Sequence, residues 1–328
     1  MRIGLTLGKF APLHQGHQRL IETSLTETDH TIVLIYDCPD LRVPPLPVRR
    51  RWIEDLYPTV EVIEAWDGPI ETGLDPRITD RHDEYLKKRL SGRGITHFYS
   101  SEPYGDHVSR ALNAIDRRVD EQRDTIPVSA TKIRADLDSY RNYLSPRVYR
   151  DLVTHVVFLG APSTGKTTLA STLAERLQTV WMPEYGREYW ALHQVDRRLT
   201  REQLVDIAVG HREREDRLVV SANGIFLIDT DATTTLQFSR YYHESAHPEL
   251  IRLADQCCAR YDLAFLCDCD IPYDDTWDRS GAVFRSVMQR RIEADLLARK
   301  RPFHLLQGSI EQRCDAVLAK LASFRKYQ

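Results

Sequence analysis

Gly160-Ala161-Pro162-Ser163-Thr164-Gly165-Lys166-Thr167-Thr168 decides the fold of half of this chain. The apolar run Val156-Val157-Phe158-Leu159 leads into it and a helical pattern leads out. Strand, glycine-rich loop and helix form the context in which G-x-x-x-x-G-K-[ST] holds phosphate. Gly160 and Gly165 let the backbone curl, so successive N–H groups converge on one anion. The helix N-terminus beyond adds its positive end. Lys166 can reach the β- and γ-phosphates of ATP, and the Thr167 hydroxyl suits Mg²⁺. Ser163, Thr164 and Thr168 complete the cradle.

Outward from that loop, 328 residues are enough for two domains at about 150 residues each. Hydrophobic residues make 42% and charged residues 28%, an ordinary globular balance, and the net charge of −3 gives no basic field for nucleic acid. No stretch approaches the ~20 apolar residues of a membrane span, and MRIGLTLGKF is too short a run for a signal peptide. Six cysteines without C-x-x-C spacing predict reduced thiols in a cytoplasmic protein. The oligomeric state stays open, a homo-oligomer included.

The rest of the chain alternates strands and helices. IGLTL (3–7), TIVLIYD (31–37), VEVIEAW (60–66) and ITHFYSSE (95–102) read as strands. Helices follow at residue 17 onward, at VRRRWIEDLYP (48–58) and at HDEYLKKRL, with DGPIETGLDPRITD (67–80) as a loop. Beyond the glycine-rich loop, GIFLIDTD (224–231) and LAFLCDCD (263–270) read as strands with acids at their C-terminal ends. An arginine-rich helix from Phe284 to Arg301, a strand in PFHLLQG and a helix from Ile310 finish the chain. This predicts two α/β domains with doubly wound parallel sheets, 1–150 and 151–328. The seam falls in SPRVYRDLVTH (145–155), where Pro146 is expected to break a helix.

GKFAPLHQGH (8–17) carries chemistry of its own. His14 and His17 follow a strand and open a helix, so two imidazoles and Lys9 can gather at a helix N-terminus, as a triphosphate needs. Gly8 allows close approach, and Gly16 is expected to keep the space between the imidazoles open. Alone, H-x-x-H near a strand end is as readily two surface histidines, or a metal pair, as a triphosphate site. PVSATKIR (127–134) offers Ser129 and Thr131 as helix caps and Arg134 as a phosphate partner.

Together these segments resemble the nucleotidyltransferase superfamily. Its G-x-F-x-P-x-H-x-G-H loop is matched at Gly8, Phe10, Pro12, His14, Gly16 and His17, and its S-x-T-x-I-R segment at Ser129, Thr131, Ile133 and Arg134. FYSSEPYG (98–105) is similar to a loop that nicotinamide-nucleotide adenylyltransferases use near adenosine. The helix at 48–58 resembles theirs, with Arg49 or Arg50 near a phosphate. The resemblance implies a Rossmann-like domain that passes an adenylyl group from ATP to an acceptor phosphate, with pyrophosphate leaving. Trp66 and Tyr85 are the candidates to stack on nicotinamide.

The second half resembles the kinase domain of the bifunctional nicotinamide-mononucleotide adenylyltransferase/ribosylnicotinamide kinase family, which pairs these two domains in this order. E-Y-x-R-E-Y is matched from Glu184 to Tyr189 and D-T-D at Asp229, Thr230 and Asp231. The resemblance implies a P-loop kinase that phosphorylates nicotinamide riboside to the mononucleotide, which the first domain turns into NAD. Glu184 or Asp231 is the expected general base, with Asp231 alternatively beside the substrate, and Asp229 shares Mg²⁺ with Thr167. The family's W-V-x-D-G-x-R lid is partly kept in YDDTWDR (273–279). Tyr273 and Phe303 then flank nicotinamide and Asp275 meets the ribose. Arg279, Arg285, Arg290 and Arg291 are candidates for transition-state charge. Relatives that regulate transcription carry an N-terminal helix-turn-helix; this chain starts on its first strand, so no DNA-binding role is expected. The same two chemistries on a pantetheine or flavin precursor, or a nucleotide sensor with degraded activity, are the competing expectations.

Overall fold

The computed structural model describes residues 1–195, 198–272 and 282–327, with no side-chain description at 282 and 283. The chain divides into two compact units, Met1–Tyr149 with Tyr327, and Arg150–Lys326.

The first unit is built on five parallel strands: β1 (Ile3–Gly8), β2 (His30–Tyr36), β3 (Glu61–Ala65), β4 (His97–Ser100) and β5 (Ile115–Arg118). Their order is β3-β2-β1-β4-β5. Helices over Gln15–Glu27, Leu46–Leu56, Pro76–Arg89 and Gly105–Leu112 separate them in sequence. Residues 31–36 of β2 are all buried, because a central parallel strand is covered on both faces and needs no polar alternation. The order reverses at β1, which opens a crevice at the carboxyl ends of β1 and β4. The loop after Gly8 therefore lies where such sheets bind ligands.

The second unit repeats the principle with β6 (Thr154–Leu159), β7 (Trp181–Met182), β8 (Ile225–Asp229), β9 (Leu263–Cys267) and β10 (His304–Leu306), in the order β10-β9-β6-β8-β7. Val156, Phe158, Leu227 and Phe265 pack against Leu169 and Leu173 of the helix Lys166–Arg176, fixing the glycine-rich loop above the sheet.

Three sequence expectations change. The helix expected from about residue 82 starts at Pro76: Asp75 accepts a hydrogen bond from the Arg77 amide at 2.9 Å, and proline suits the first helical position. Pro146 likewise opens the helix Pro146–Leu152 instead of breaking one, and the Val148 amide donates to the Ser145 hydroxyl at 3.3 Å. β5 has no apolar signature in its sequence, Ile-Asp-Arg-Arg. It is an edge strand, and its one large apolar residue, Ile115, is 60% exposed.

Candidate functional site

The loop after β6 takes the shape that its glycines permit. Gly160 has φ +140°, and a Cβ there would sit 2.7 Å from the Cys267 carbonyl, so the chain can pass that close to β9 only without a side chain. Ser163 and Gly165 also lie in the left-handed region, at φ 61° and 80°. Lys166 is buried, and its ammonium donates to the Gly160 and Ala161 carbonyls at 3.0 Å each. The Thr167 hydroxyl donates to Asp229 Oδ2 at 2.6 Å. The other oxygen of that buried carboxylate, Oδ1, has no partner among the described residues. Burial pushes the Asp229 carboxyl up to about 6; Lys166 opposes this and Glu184 adds to it.

Three side chains from far along the chain lock this loop, and local sequence gave no hint of two of them. Gln289 accepts from the Ala161 amide at 2.9 Å and donates to the Cys267 carbonyl at 3.1 Å. Arg313, 2% exposed, donates to the Thr164 carbonyl at 2.7 Å and pairs with Asp270. Arg285, a candidate for transition-state charge, donates to the Ser163 carbonyl at 3.0 Å and the Ile271 carbonyl at 2.9 Å. No motif encloses Gln289 or Arg313; only the fold brings them to the loop.

Beside the loop lies a cavity of about 490 Å³. Glu184, at the N-cap of the helix Tyr185–His193, lines it, as do Trp190, His211, Phe238, Tyr242 and Phe284. Asp231 also borders the cavity but is already engaged. It caps the helix Ala232–His243 by accepting from the Thr233 amide at 2.8 Å, and it pairs with buried Arg301 at 2.7 Å. Although burial alone would raise it, Arg301 and Thr233 hold the Asp231 carboxyl below the usual range. A carboxylate so committed is poorly placed to take a proton, which corrects its expected alternative role as base. Phe303 is half-buried and is not among the described residues that line the cavity, whereas Trp190, Phe238, Tyr242 and Phe284 are. Arg290 and Arg291 are exposed, and the Arg291 guanidinium lies 5.5 Å from the Tyr241 ring centre. Tyr273, Asp275 and Arg279 lie outside the described residues.

In the first unit, the loop after β1 brings its histidines together. The His14 and His17 rings stack 3.8 Å apart, and the edge of one of the Phe10 and His17 rings meets the face of the other at 4.9 Å. Gly16 does not hold the imidazoles open. A Cβ there would stand 3.0 Å from His14 Cε1, so its hydrogen makes room for the His14 ring itself. Burial, helped by the nearby Arg123 guanidinium, lowers the His14 pKa to about 4. His17 is lowered by burial, by His14 and by Arg123. Both imidazoles are therefore neutral near pH 7. The sequence did not single out Arg123, a loop residue that also pairs with Glu102 at 2.9 Å.

Arg134 comes to the same loop and donates to the Ala11 carbonyl at 2.5 Å and to the Thr131 hydroxyl at 3.0 Å. Ser129 caps its helix, accepting from the Lys132 amide at 3.3 Å, whereas Thr131 serves Arg134 and not the helix end. Lys9 is half-buried, and its carbonyl accepts from Arg49. Arg49 is fully buried and also bonds the Pro44 and Tyr36 carbonyls at 2.9 Å, so it clamps the backbone and is not available to a phosphate. Arg50 is paired with Glu54 at 2.7 Å. Trp66 is 56% exposed and donates to Glu64, and the Tyr85 hydroxyl donates to Asp67 at 2.8 Å. Neither is brought to the histidine loop by any contact described above.

A parallel sheet with a histidine loop at its switch point, followed by a parallel sheet with a glycine-rich loop of P-loop type, defines a protein of two α/β units, the first Rossmann-like and the second P-loop-like. The family model for an AAA domain matches residues 155–313. The trifunctional NAD biosynthesis/regulator protein NadR of Escherichia coli K12 is 30% identical over 289 residues, covering 83% of this chain and 70% of that protein. The NadR protein of Salmonella typhimurium LT2 is 30% identical over 293 residues, with the same coverage. A crystal structure of a NadR protein with NAD and AMP-PNP aligns over 98% of this chain and 97% of its own, with a TM-score of 0.61 at 22% identity. Another, with NR, aligns over 97% and 95% at 0.61 and 23%. The chain belongs to the NadR family.

Proposed function

We propose that the second unit phosphorylates the ribose 5′-hydroxyl of nicotinamide riboside with ATP, and that the first transfers an adenylyl group from a second ATP to the mononucleotide, giving NAD and pyrophosphate. The Thr167–Asp229 contact beside Lys166, opening on a cavity that holds Glu184 and aromatic side chains, carries this reading. The relatives' name as an NAD biosynthesis protein, and the NR and NAD held by the NadR crystal structures, support it.

In the second unit, Lys166 and the loop amides bind and orient the transferred phosphate. Glu184 faces the cavity and takes the proton of the accepting hydroxyl. Trp190, Phe238, Tyr242 and Phe284 can hold a flat ring and exclude water. Thr167 and Asp229 would hold Mg²⁺, and the unpartnered Asp229 Oδ1 fits that role. Among the described residues no group of three or more His, Cys, Asp and Glu could bind a metal by itself, which suits an ion completed by phosphate oxygens and water. Bound Mg²⁺ would neutralise phosphate charge.

In the first unit, the neutral His14 and His17 donate hydrogen bonds toward a triphosphate and Arg134 supplies the fixed charge; developing negative charge favours protonating the imidazoles. Nicotinamide riboside and Mg·ATP, incubated with the protein and resolved by chromatography, should yield the mononucleotide and then NAD. Formation of neither overturns the proposal. Among the described residues no helix is long and apolar enough to cross a membrane.

A further inference from the structure

The kinase cavity has a polar wall that the phosphate chemistry leaves unused. His211, on the helix Arg201–Leu218, lines the cavity and is 5% exposed. Its Nε2 lies 3.1 Å from Oε1 of Glu215, one turn further along, close enough for an ion pair though out of line for a hydrogen bond. Glu215, 1% exposed, is fixed from its other side: Arg260 Nε donates to it at 2.6 Å and the Tyr261 hydroxyl at 2.8 Å. Burial alone would raise this carboxyl, but His211, Arg260 and Tyr261 bring it down to about 2, so it is ionised. Two buried hydroxyls of cavity-lining residues, Thr230 Oγ1 and Thr234 Oγ1, have no partner among the described residues.

A histidine buried only for packing satisfies both ring nitrogens within the protein. Here no hydrogen bond engages Nδ1 among the described residues, while a costly buried carboxylate stands guard over Nε2. We infer that His211, oriented by Glu215, reads a hydroxyl of the sugar that accepts phosphate in this cavity. The carboxylate favours the proton on Nε2, which leaves the Nδ1 lone pair to accept a hydrogen bond from a substrate O–H. Thr230 and Thr234 supply further hydroxyls that can donate or accept. Such a wall selects a polyhydroxylated acceptor over one that is merely flat. His211 acts in specificity; proton removal stays with Glu184. The inference rests on the second unit being a kinase for a riboside.

The test titrates nicotinamide riboside and uridine, each with its 2′-, 3′- and 5′-deoxy forms, into the full-length wild-type, His211→Ala and His211→Asn proteins by calorimetry. AMP-PNP is titrated in parallel. Asparagine places an amide oxygen near the position of Nδ1. His211→Ala should weaken riboside binding about 3- to 10-fold and leave AMP-PNP binding within about 2-fold, with His211→Asn recovering most of the loss. For one deoxy form the Ala variant should bind as well as wild type, because the hydroxyl being read is already gone. Equal riboside affinity in wild type and His211→Ala overturns the inference. So does a loss of the same size for every deoxy form, or a wild-type protein that binds neither riboside. If uridine shows the His211 dependence and nicotinamide riboside is not phosphorylated, the proposed substrate falls and the inference stands.

Discussion

The two loops proposed to hold phosphate carry their charge in opposite ways. The loop at Gly160–Thr168 relies on a fixed cation, Lys166, and on backbone shaped by glycine. It is held from outside by Gln289, Arg285 and Arg313, which lie 120 residues or more further along. The loop at Gly8–His17 is also clamped from outside, by Arg134 on the Ala11 carbonyl and Arg49 on the Lys9 carbonyl, but it adds packing of its own. His14 caps the helix that follows, the two imidazoles stack on each other, and Phe10 packs on His17. Its histidines are held neutral by burial and by Arg123. A permanent charge such as Lys166 is buried only with carbonyls to receive it, whereas a neutral, stacked pair packs into a core with no charge to desolvate.

If the sites are independent, each can be removed alone. Lys166→Ala should lower riboside phosphorylation about 10³-fold and leave adenylyl transfer to supplied mononucleotide within about 2-fold. Assaying the two half-reactions separately checks this, and loss of both would break the contrast. His17→Ala should do the reverse, lowering NAD formation about 10²-fold while mononucleotide accumulates from the riboside. Normal NAD formation in that variant would make His17 a packing residue.

The outside support of the second loop predicts a stability effect. Gln289→Leu leaves the buried Ala161 amide and Cys267 carbonyl without their partner. It should cost about 1–3 kcal/mol of unit stability and raise the KM for ATP, read from denaturant unfolding and kinase assays. The comparable change in the first unit, Thr131→Val, removes only an exposed partner of Arg134 and should cost less than about 1 kcal/mol.

This contrast also explains what the sequence could and could not reveal. Both loops were legible because their candidate groups sit in consecutive residues: glycines where φ is positive, histidines at a strand end. The strands that position them were legible as apolar runs, and the terminal helix starts at Ile310 as expected. β5 was not, since an edge strand of Ile-Asp-Arg-Arg buries too little to leave a pattern. Gln289, Arg313 and Arg123 were not, because each acts on a segment remote in sequence. Asp231 shows the converse. Its place at a strand end looked chemical, but buried Arg301, 70 residues on, turns it into an ion-pair partner and helix cap. Arg49 failed for the same reason, a motif-like arginine being spent on backbone carbonyls.

Acid should also separate the two units. His14 titrates near 4 in the folded protein and near 6.5 when unfolded, with His17 lowered in the same direction. Between those values the unfolded chain binds more protons, so the first unit loses stability as pH falls from about 6.5 toward 4, at up to about 1.4 kcal/mol per pH unit for His14 alone. In the second unit the large carboxylate depression belongs to Glu215, from 4.5 to about 2, so its loss begins only below about pH 4.5. Asp229 runs the other way, its carboxyl being raised to about 6, which adds to the second unit's stability on mild acidification. His304 is also lowered, but it is half-buried and contributes weakly. Hydrogen exchange in β2 and β6, corrected for intrinsic rates, reads the two units in one sample. From pH 7 to 5, opening of β2 should become easier by about 1–2 kcal/mol, while opening of β6 should become harder by up to about 1 kcal/mol through Asp229. His14→Asn should flatten the β2 response. Parallel decline of both strands would mean that the stacked imidazoles are not what sets the acid sensitivity of the first unit.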